Sequence, residues 1–371
     1  MLGKKSNLFV LALAMMMGSV CADDVSSAQD GQAQSGISAI SQTNVDGTVG
    51  GVNPSYPKKC YQVGLYVTGD YLYWKAEQEG LMFTETSKNR VPFTIDDGKM
   101  INPDFDWASG FRVGMGYNFR YDGWDIFLQW TDYDVETSRH VHAPKNGQLL
   151  ALWSTAHGVN PSYYGLKASA HWHLDYDIVD LELGRNYYVS RALSIRPFLG
   201  ARGAWIYQRI RVHYEGLDFG SGINPNNFPL TTWGKNAFHA GGARLGFNLV
   251  WHLNRMWGIY TNVSGSLLLG YFNAHVHGKL NLPPEATSVE LSSSIRRVRP
   301  NLEIATGLKW EDCFDRGKWH LAITVGYELV QWWSMNQMIQ MLDACPANGE
   351  SYRRRGDLGL QGWTIAARLD F

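Results

Sequence analysis

The stretch LQGWTIAARLDF, residues 360–371, puts Trp363, Ile365, Ala367, Leu369 and Phe371 on one row and Thr364, Ala366, Arg368 and Asp370 on the other. That alternation has the period of a β-strand with two unlike faces. A soluble edge strand would usually run on into a polar tail, whereas here large apolar groups stay on show to Phe371. The expectation is that an apolar medium receives this row.

The same pattern recurs ten times along the chain. In VGLYVTGDYLYW (63–74), Val63, Leu65, Val67, Tyr71 and Tyr73 oppose Tyr66, Thr68 and Asp70. In FDWASGFRVGMGYNF (105–119) an aromatic row opposes Asp106, Arg112, Asn118 and three glycines, and in WDIFLQWTDYDV (124–135) Trp124, Ile126, Leu128 and Trp130 oppose Asp125, Gln129 and Thr131. Further strands are expected at about 167–188, 193–214, 236–252, 256–276, 288–310, 317–333 and 357–371. Each is long enough to cross a bilayer obliquely, which takes roughly 9 to 11 residues.

The connections alternate in length. Short ones (120–123, 189–192, 254–255, 311–317) intersperse with long ones (77–103, 137–166, 215–235, 277–287, 334–356). Transmembrane barrels have this asymmetry, with short turns on the periplasmic side and longer loops outside. The fold class expected is therefore all-β: a transmembrane antiparallel up-and-down β-barrel of about ten strands. GLMFTETSKNRVPFTID (80–96) alternates like a hairpin and could raise the count to twelve or more. Its arms of about six residues are too short to span, so it reads as an external hairpin. A soluble sandwich would have to hide aromatic rows that have no partner sheet.

Composition agrees. Aromatic residues make up 13% of the chain, with 15 Trp, 19 Tyr and 39 Gly, yet mean hydropathy is only -0.25. Strands with one lipid-facing and one water-facing row give that combination. A formal net charge of -1 offers no basic patch of the kind nucleic acid requires, so no nucleic-acid partner is expected. Trp257 and Tyr271 fall on one face of one strand, 14 residues apart. That is roughly 46 Å along the strand, or about 35 Å vertically at a tilt near 40°, a separation suited to two aromatic girdles.

At the other end, MLGKKSNLFVLALAMMMGSVCADD carries Lys4 and Lys5, an apolar run from Leu8 to Met17, and small residues around Ala22. Residues 1–22 are expected to be a secretory signal peptide; lipidation at Cys21 is disfavoured by bulky Val20 before it. Residues 23–59 are rich in Ser, Gln, Gly and Asp and read as a mobile lead, leaving 60–371 for the barrel. The exported chain would keep Cys60, Cys313 and Cys345. Cys60 with Cys313 is a possible pair, and Cys345 would sit in an external loop, unpaired or cross-linked to a neighbour.

Several stretches together resemble the Legionella-type pore-forming major outer membrane protein family, which includes porin-like proteins of environmental chlamydiae. They are GDYLYWKAEQEGL (69–81), GFRVGMGYNF (110–119), GWDIFLQWT (123–131), YDIVDLELGRNYYVSRALSIRPFLGARGAW (176–205), HLAITVGYELVQWWSMNQM (320–338) and GDLGLQGWTIAARLDF (356–371). The resemblance spans nearly all of the chain beyond residue 60. It implies an integral barrel in the outer membrane of a Gram-negative bacterium, acting as a pore for small polar solutes and ions. Phe371 also resembles the terminal aromatic that such barrels present to their assembly machinery. Outer-membrane lipids and that machinery are the partners implied, and a homo-oligomer is conceivable.

With apolar rows toward lipid, the opposite rows face the lumen. On 167–188 the apolar row changes parity between Ile178 and Val179, which suggests a bulge. Asp175, Asp177, Asp180 and Glu182 would then point inward, with Arg196, Arg202, Arg244, Arg297 and Arg299 from other strands. Opposed arcs of charge would set a transverse field across a water-filled pore. The competing expectation is that these charges pair and plug the barrel, leaving a non-conducting adhesin or surface structural protein, because eight strands give a filled interior and 16 to 18 an aqueous channel.

Three H-x-H pairs, His140/His142, His171/His173 and His275/His277, fall toward the outer rim, where a surface metal site is conceivable. With 11 histidines such pairs arise readily by chance, so no metal or other cofactor is expected. No G-x-S-x-G, H-E-x-x-H, Walker loop or paired C-x-x-C occurs, and His173 near Asp175 is the best hydrolase fragment. The chain is not expected to be an enzyme.

Overall fold

A computed structural model describes residues 64–87, 98–120, 122–145, 147–153, 164–217, 228–281, 286–315, 318–342 and 350–371. The expected signal peptide, the lead segment, Cys60 and Cys345 lie outside these residues. Ten strands carry the architecture: β1 (Gly64–Gln78), β2 (Trp107–Asn118), β3 (Trp124–His142), β4 (Lys167–Arg185), β5 (Leu193–Leu217), β6 (Phe228–His252), β7 (Trp257–Asn281), β8 (Ala286–Phe314), β9 (Trp319–Trp332) and β10 (Leu358–Asp370). Each pairs antiparallel with its neighbours in the chain, and β10 closes on β1 from Tyr66↔Asp370 to Gln78↔Leu358. Closure leaves no barrel strand with an unpaired edge, which is what a sheet in hydrocarbon requires.

One end has tight turns and the other has long segments. The turn between β2 and β3 uses Asp122 and Gly123, at φ 55° and 71°, the left-handed pair that matches the twist of a hairpin. At the loop end, Thr84–Ser87 pairs with Lys99–Ile101 and with Gln148–Ala151, which pairs in turn with Tyr164–Gly165. Of the expected external hairpin (80–96), residues 88–96 lie outside the described residues; Thr84–Ser87 from its first arm belongs to a small four-stranded sheet. A second hairpin joins Ile339–Leu342 to Glu350–Arg353.

Along every barrel strand one parity faces in and the other out, but the chemistry of the two faces exchanges partway. On the turn side the outward row is apolar: Leu199, Leu245, Leu267 and Leu308 are all more than half exposed. On the loop side the inward row is apolar, with Trp74, Trp172, Phe238, Phe272 and Trp332 fully buried. Each such side chain contributes roughly 1.5–3 kcal/mol by leaving water. Trp363, Ile365 and Phe371 are exposed on the outward row of β10, as the alternation predicts.

The expected bulge in β4 is absent. Lys167 to Arg185 alternates without a break, and its ladder with β5 runs continuously from Glu215↔Lys167 to Phe198↔Gly184. The apolar row changes sides at Ile178 and Val179 because the surroundings invert there, while the backbone register holds. Asp175 and Asp177 consequently face outward and do not enter the lumen; Asp180 and Glu182 are buried inside. Strands β5 to β8 are also longer than expected, at 25 to 29 residues, because they continue beyond the apolar band as polar-faced hairpins.

Candidate functional site

The turn-side half of the lumen holds a cavity of about 330 Å³ lined by charged and polar groups. Its walls are the inward rows of all ten strands, and its centre is a lattice of ion pairs. Arg202 on β5 grips Asp180 on β4 with Nε at 2.6 Å and Nη2 at 2.7 Å, a bidentate fork. The same guanidinium crosses the lumen to β8, donating to Asn301 Oδ1 at 2.6 Å and to both oxygens of Glu303. Arg244 on β6 donates to Glu182, to Glu303 Oε2 at 2.8 Å and to Ser264 Oγ at 3.0 Å. Arg196 donates to Asp125 and, at 2.9 Å, to Glu182. Gly184 makes room for it, since a Cβ there would fall 2.5 Å from the Arg196 guanidinium.

A second chord crosses elsewhere. Arg112 on β2 binds Glu328 on β9 at 2.9 and 3.2 Å, with Asp70 at 3.5 Å. Nearer the turns, Arg368 holds Asp370 at 2.6 Å, stacks over the Tyr66 ring at 3.6 Å, and leaves Asp370 to accept from His320 at 2.8 Å.

Of the residues expected inside, Asp180, Glu182, Arg196, Arg202 and Arg244 meet in one lattice. Acids on β4 and bases on β5 and β6 are therefore neighbours in contact, and the expected opposed arcs do not form. Arg297 and Arg299 share the inward row of β8 nearer the loops, where Arg299 lies 5.0 Å over the Phe272 ring and forms no ion pair among the described residues. The sequence reading put Asp70, Arg112 and Asp125 on the rows opposite the apolar ones but did not name them among the lining charges, and it did not name Glu303 or Glu328. All five sit on polar rows, and Asp70 and Arg112 are direct cross-strand partners.

Above the lattice the lumen is stoppered. Leu81, Phe83, Leu149, Trp153, Met335 and Met338, all from segments beyond the strands or in the small external sheet, are fully buried against the apolar wall. Trp153 Nε1 donates to the Met82 carbonyl at 3.0 Å, Thr232 donates to the Trp153 carbonyl at 2.8 Å, and Asn236 donates to the Met335 carbonyl at 2.8 Å. Arg354 straps these segments together. It donates to Gly80 O at 2.5 Å, Met82 O at 3.1 Å and Gln340 Oε1 at 2.6 Å while stacking 4.6 Å over Trp153.

Outside the wall, Asp134, His173 and Asp175 bring ligand atoms within 4.8 Å of one another. Exposed carboxylates commonly gather in this way without an ion. The hydrolase fragment His173/Asp175 belongs to this outward cluster, away from the lumen. Cys313 is disulfide-bonded, with a partner outside the described residues. Phe371 lies on the outward face, its ring 5.8 Å from that of Trp319.

A closed antiparallel barrel with an apolar girdle outside and a charged lumen inside defines an integral outer-membrane protein. The family profile described as Legionella pneumophila major outer membrane protein precursor matches residues 57–371, and the chain belongs to that family. Its place is the outer membrane of a Gram-negative cell. No curated protein matches the chain. Solved structures that align with it include the outer membrane protease OmpT from Escherichia coli, at 9% identity over 85% of this chain and 98% of that one, with TM-score 0.38. A Pseudomonas aeruginosa FadL homologue aligns at 8% identity over 83% and 89%, TM-score 0.23. The Pseudomonas putida toluene transporter TodX aligns at 8% over 86% and 92%, TM-score 0.23. These likenesses do not bear on what this chain does.

Proposed function

We propose that the protein is a porin-type diffusion channel for small polar solutes and ions, shut at its loop end in the conformation described. The observation that carries this reading is the charge-lined cavity of about 330 Å³ within the membrane-embedded half of the barrel. Charged groups in a membrane interior are costly and commonly mark an ion or solute path. Ten strands leave little more than the filled interior of an eight-stranded barrel, so passage requires the ion pairs to exchange partners and the stopper to move. Phe371, exposed beside Trp319, is proposed as the residue shown to the assembly machinery.

The completeness of the stopper favours a second reading, a non-conducting barrel that serves as a surface scaffold or adhesin. Planar-bilayer recording of the refolded protein separates the two. The channel reading expects rare, discrete steps, and Arg354→Ala, which unfastens the segments holding Trp153, should make them several times more frequent. Silence from both proteins, each shown to be folded by heat-modifiable mobility, would give the scaffold reading first place.

A further inference from the structure

The three H-x-H pairs play no part in the lumen, and two of them border something else. On the outer wall, beyond the apolar band, His173, Arg209, Lys235 and His275 are successive cross-strand partners on β4, β5, β6 and β7. One rung further on, His171, Arg211, Trp233 and His277 are partners in the same order. The two rungs make a platform of imidazoles, guanidiniums, an ammonium and one indole, with Arg211 5.7 Å over the Trp233 ring.

The centre of this platform is uncompensated. Arg209 and Lys235 face each other directly, and like charges so placed destabilise a sheet. The carboxylates nearby lie at the flanks: Glu136 with His171, Asp134 with His173, Glu215 with Lys167 and His213, and Glu290 opposite His277. Among the described residues no carboxylate pairs with Arg209, Arg211 or Lys235. An anion lying across these groups would relieve that repulsion.

We infer that this platform binds the phosphate groups of an anionic glycolipid in the outer leaflet of the membrane holding the barrel. Position selects that occupant. Arg209 lies two residues beyond Tyr207, and His275 four beyond Tyr271, the outward aromatics nearest to them on their strands. Two to four residues are about 7–13 Å of strand, or roughly 5–10 Å of height at the tilt of such barrels, which reaches the polar headgroup layer. The platform is also on the lipid side of the wall, where a soluble polyanion would have to displace headgroups to reach it.

The test uses the full-length barrel refolded in uncharged detergent, with unfolding temperature followed during titration. The ligands are lipid A carrying both phosphates, lipid A stripped of them, inorganic phosphate, and a soluble sulfated polysaccharide. Phosphorylated lipid A should protect the barrel and the other three should not. The variant R209Q/R211Q/K235Q should need on the order of a hundredfold more lipid A, since each basic residue near an anionic surface contributes roughly fivefold. Without lipid A it should be at least as stable as the parent, because the opposed charges are gone. K318Q, which removes a charge at the turn end, should leave protection unchanged. If the triple variant fails to fold, R209Q alone should weaken protection several-fold. Unchanged protection in these variants, equal protection by stripped lipid A, or protection by inorganic phosphate or the polysaccharide in place of lipid A would overturn the assignment.

Discussion

The turn-side and loop-side halves of the barrel are built from the same strands and obey opposite rules. On β4, Val179, Leu181 and Leu183 face outward while Asp180 and Glu182 are buried inside; a few residues away His171, His173 and Asp175 face outward while Trp172, Leu174 and Tyr176 are buried inside. The backbone does not register the change, since the ladder is unbroken. What changes is the medium on each side. In the membrane, lipid takes apolar side chains outside and charge is gathered in the lumen. Beyond it, polar headgroups and water surround the wall and the interior becomes an ordinary hydrophobic core.

This inversion can be broken most severely at the lattice. Glu303 is shared by Arg202 and Arg244, both buried. Replacing it by Leu takes one carboxylate from each guanidinium, leaving Arg202 on Asp180 and Arg244 on Glu182, and breaking a buried pair by deleting one partner costs up to about 3–5 kcal/mol. Glu303→Leu should therefore lower the urea midpoint of the refolded barrel more than any outward substitution. A midpoint like the parent's would mean that water already carries those charges.

A milder test moves one charge along one face. Leu267 and Asn273 both point outward on β7, on either side of Tyr271. Leu267→Arg places a charge in the apolar band and should cost about 2–4 kcal/mol near the midplane. Asn273→Arg lies beyond the band and should stay within about 0.5 kcal/mol, as surface substitutions do. Equal costs would displace the boundary drawn at Tyr271.

The barrel was legible because alternation is local: each row of Trp, Tyr, Leu and Val announces its strand without reference to any other. The parity change at Ile178 and Val179 was ambiguous for the same reason. An inserted residue and an inverted medium leave the same local trace, and only the pairing with β5 separates them. Strands β5 to β8 read short because a polar outward row beyond the bilayer resembles a loop. Within the site, Asp180, Glu182, Arg196, Arg202 and Arg244 stood out as charges on inward rows. Glu303 and Glu328 did not, since their importance comes from contacts across the lumen, which depend on how the sheet closes. Phe83 and Trp153 sit in segments with no usable period, so nothing local marked them as stopper.

The smallest expected effect uses the same chemistry as the largest. Lys167 Nζ lies 3.0 Å from Glu215 Oε2 on the outer wall, with both side chains about half exposed. Glu215 is held below the usual carboxylate range by its hydrogen bond from Lys167 and by that charge. Water screens such a pair and supplies alternative partners, so exposed pairs contribute about 0–1 kcal/mol. Its sign with pH follows from the lowered value: the contribution is present above the ordinary glutamate range and disappears as pH falls through the folded-state value. Lys167→Ala should thus shift the urea midpoint at neutral pH only slightly, and the shift should vanish in acid. Glu303→Leu would remove a carboxylate that also contacts guanidinium nitrogens, yet from a buried site where bulk water does not screen it. A large loss at Lys167, comparable with that at Glu303, would mean that the outer wall beyond the apolar band screens charge as poorly as the buried lattice does, and the contrast between the two halves would fail.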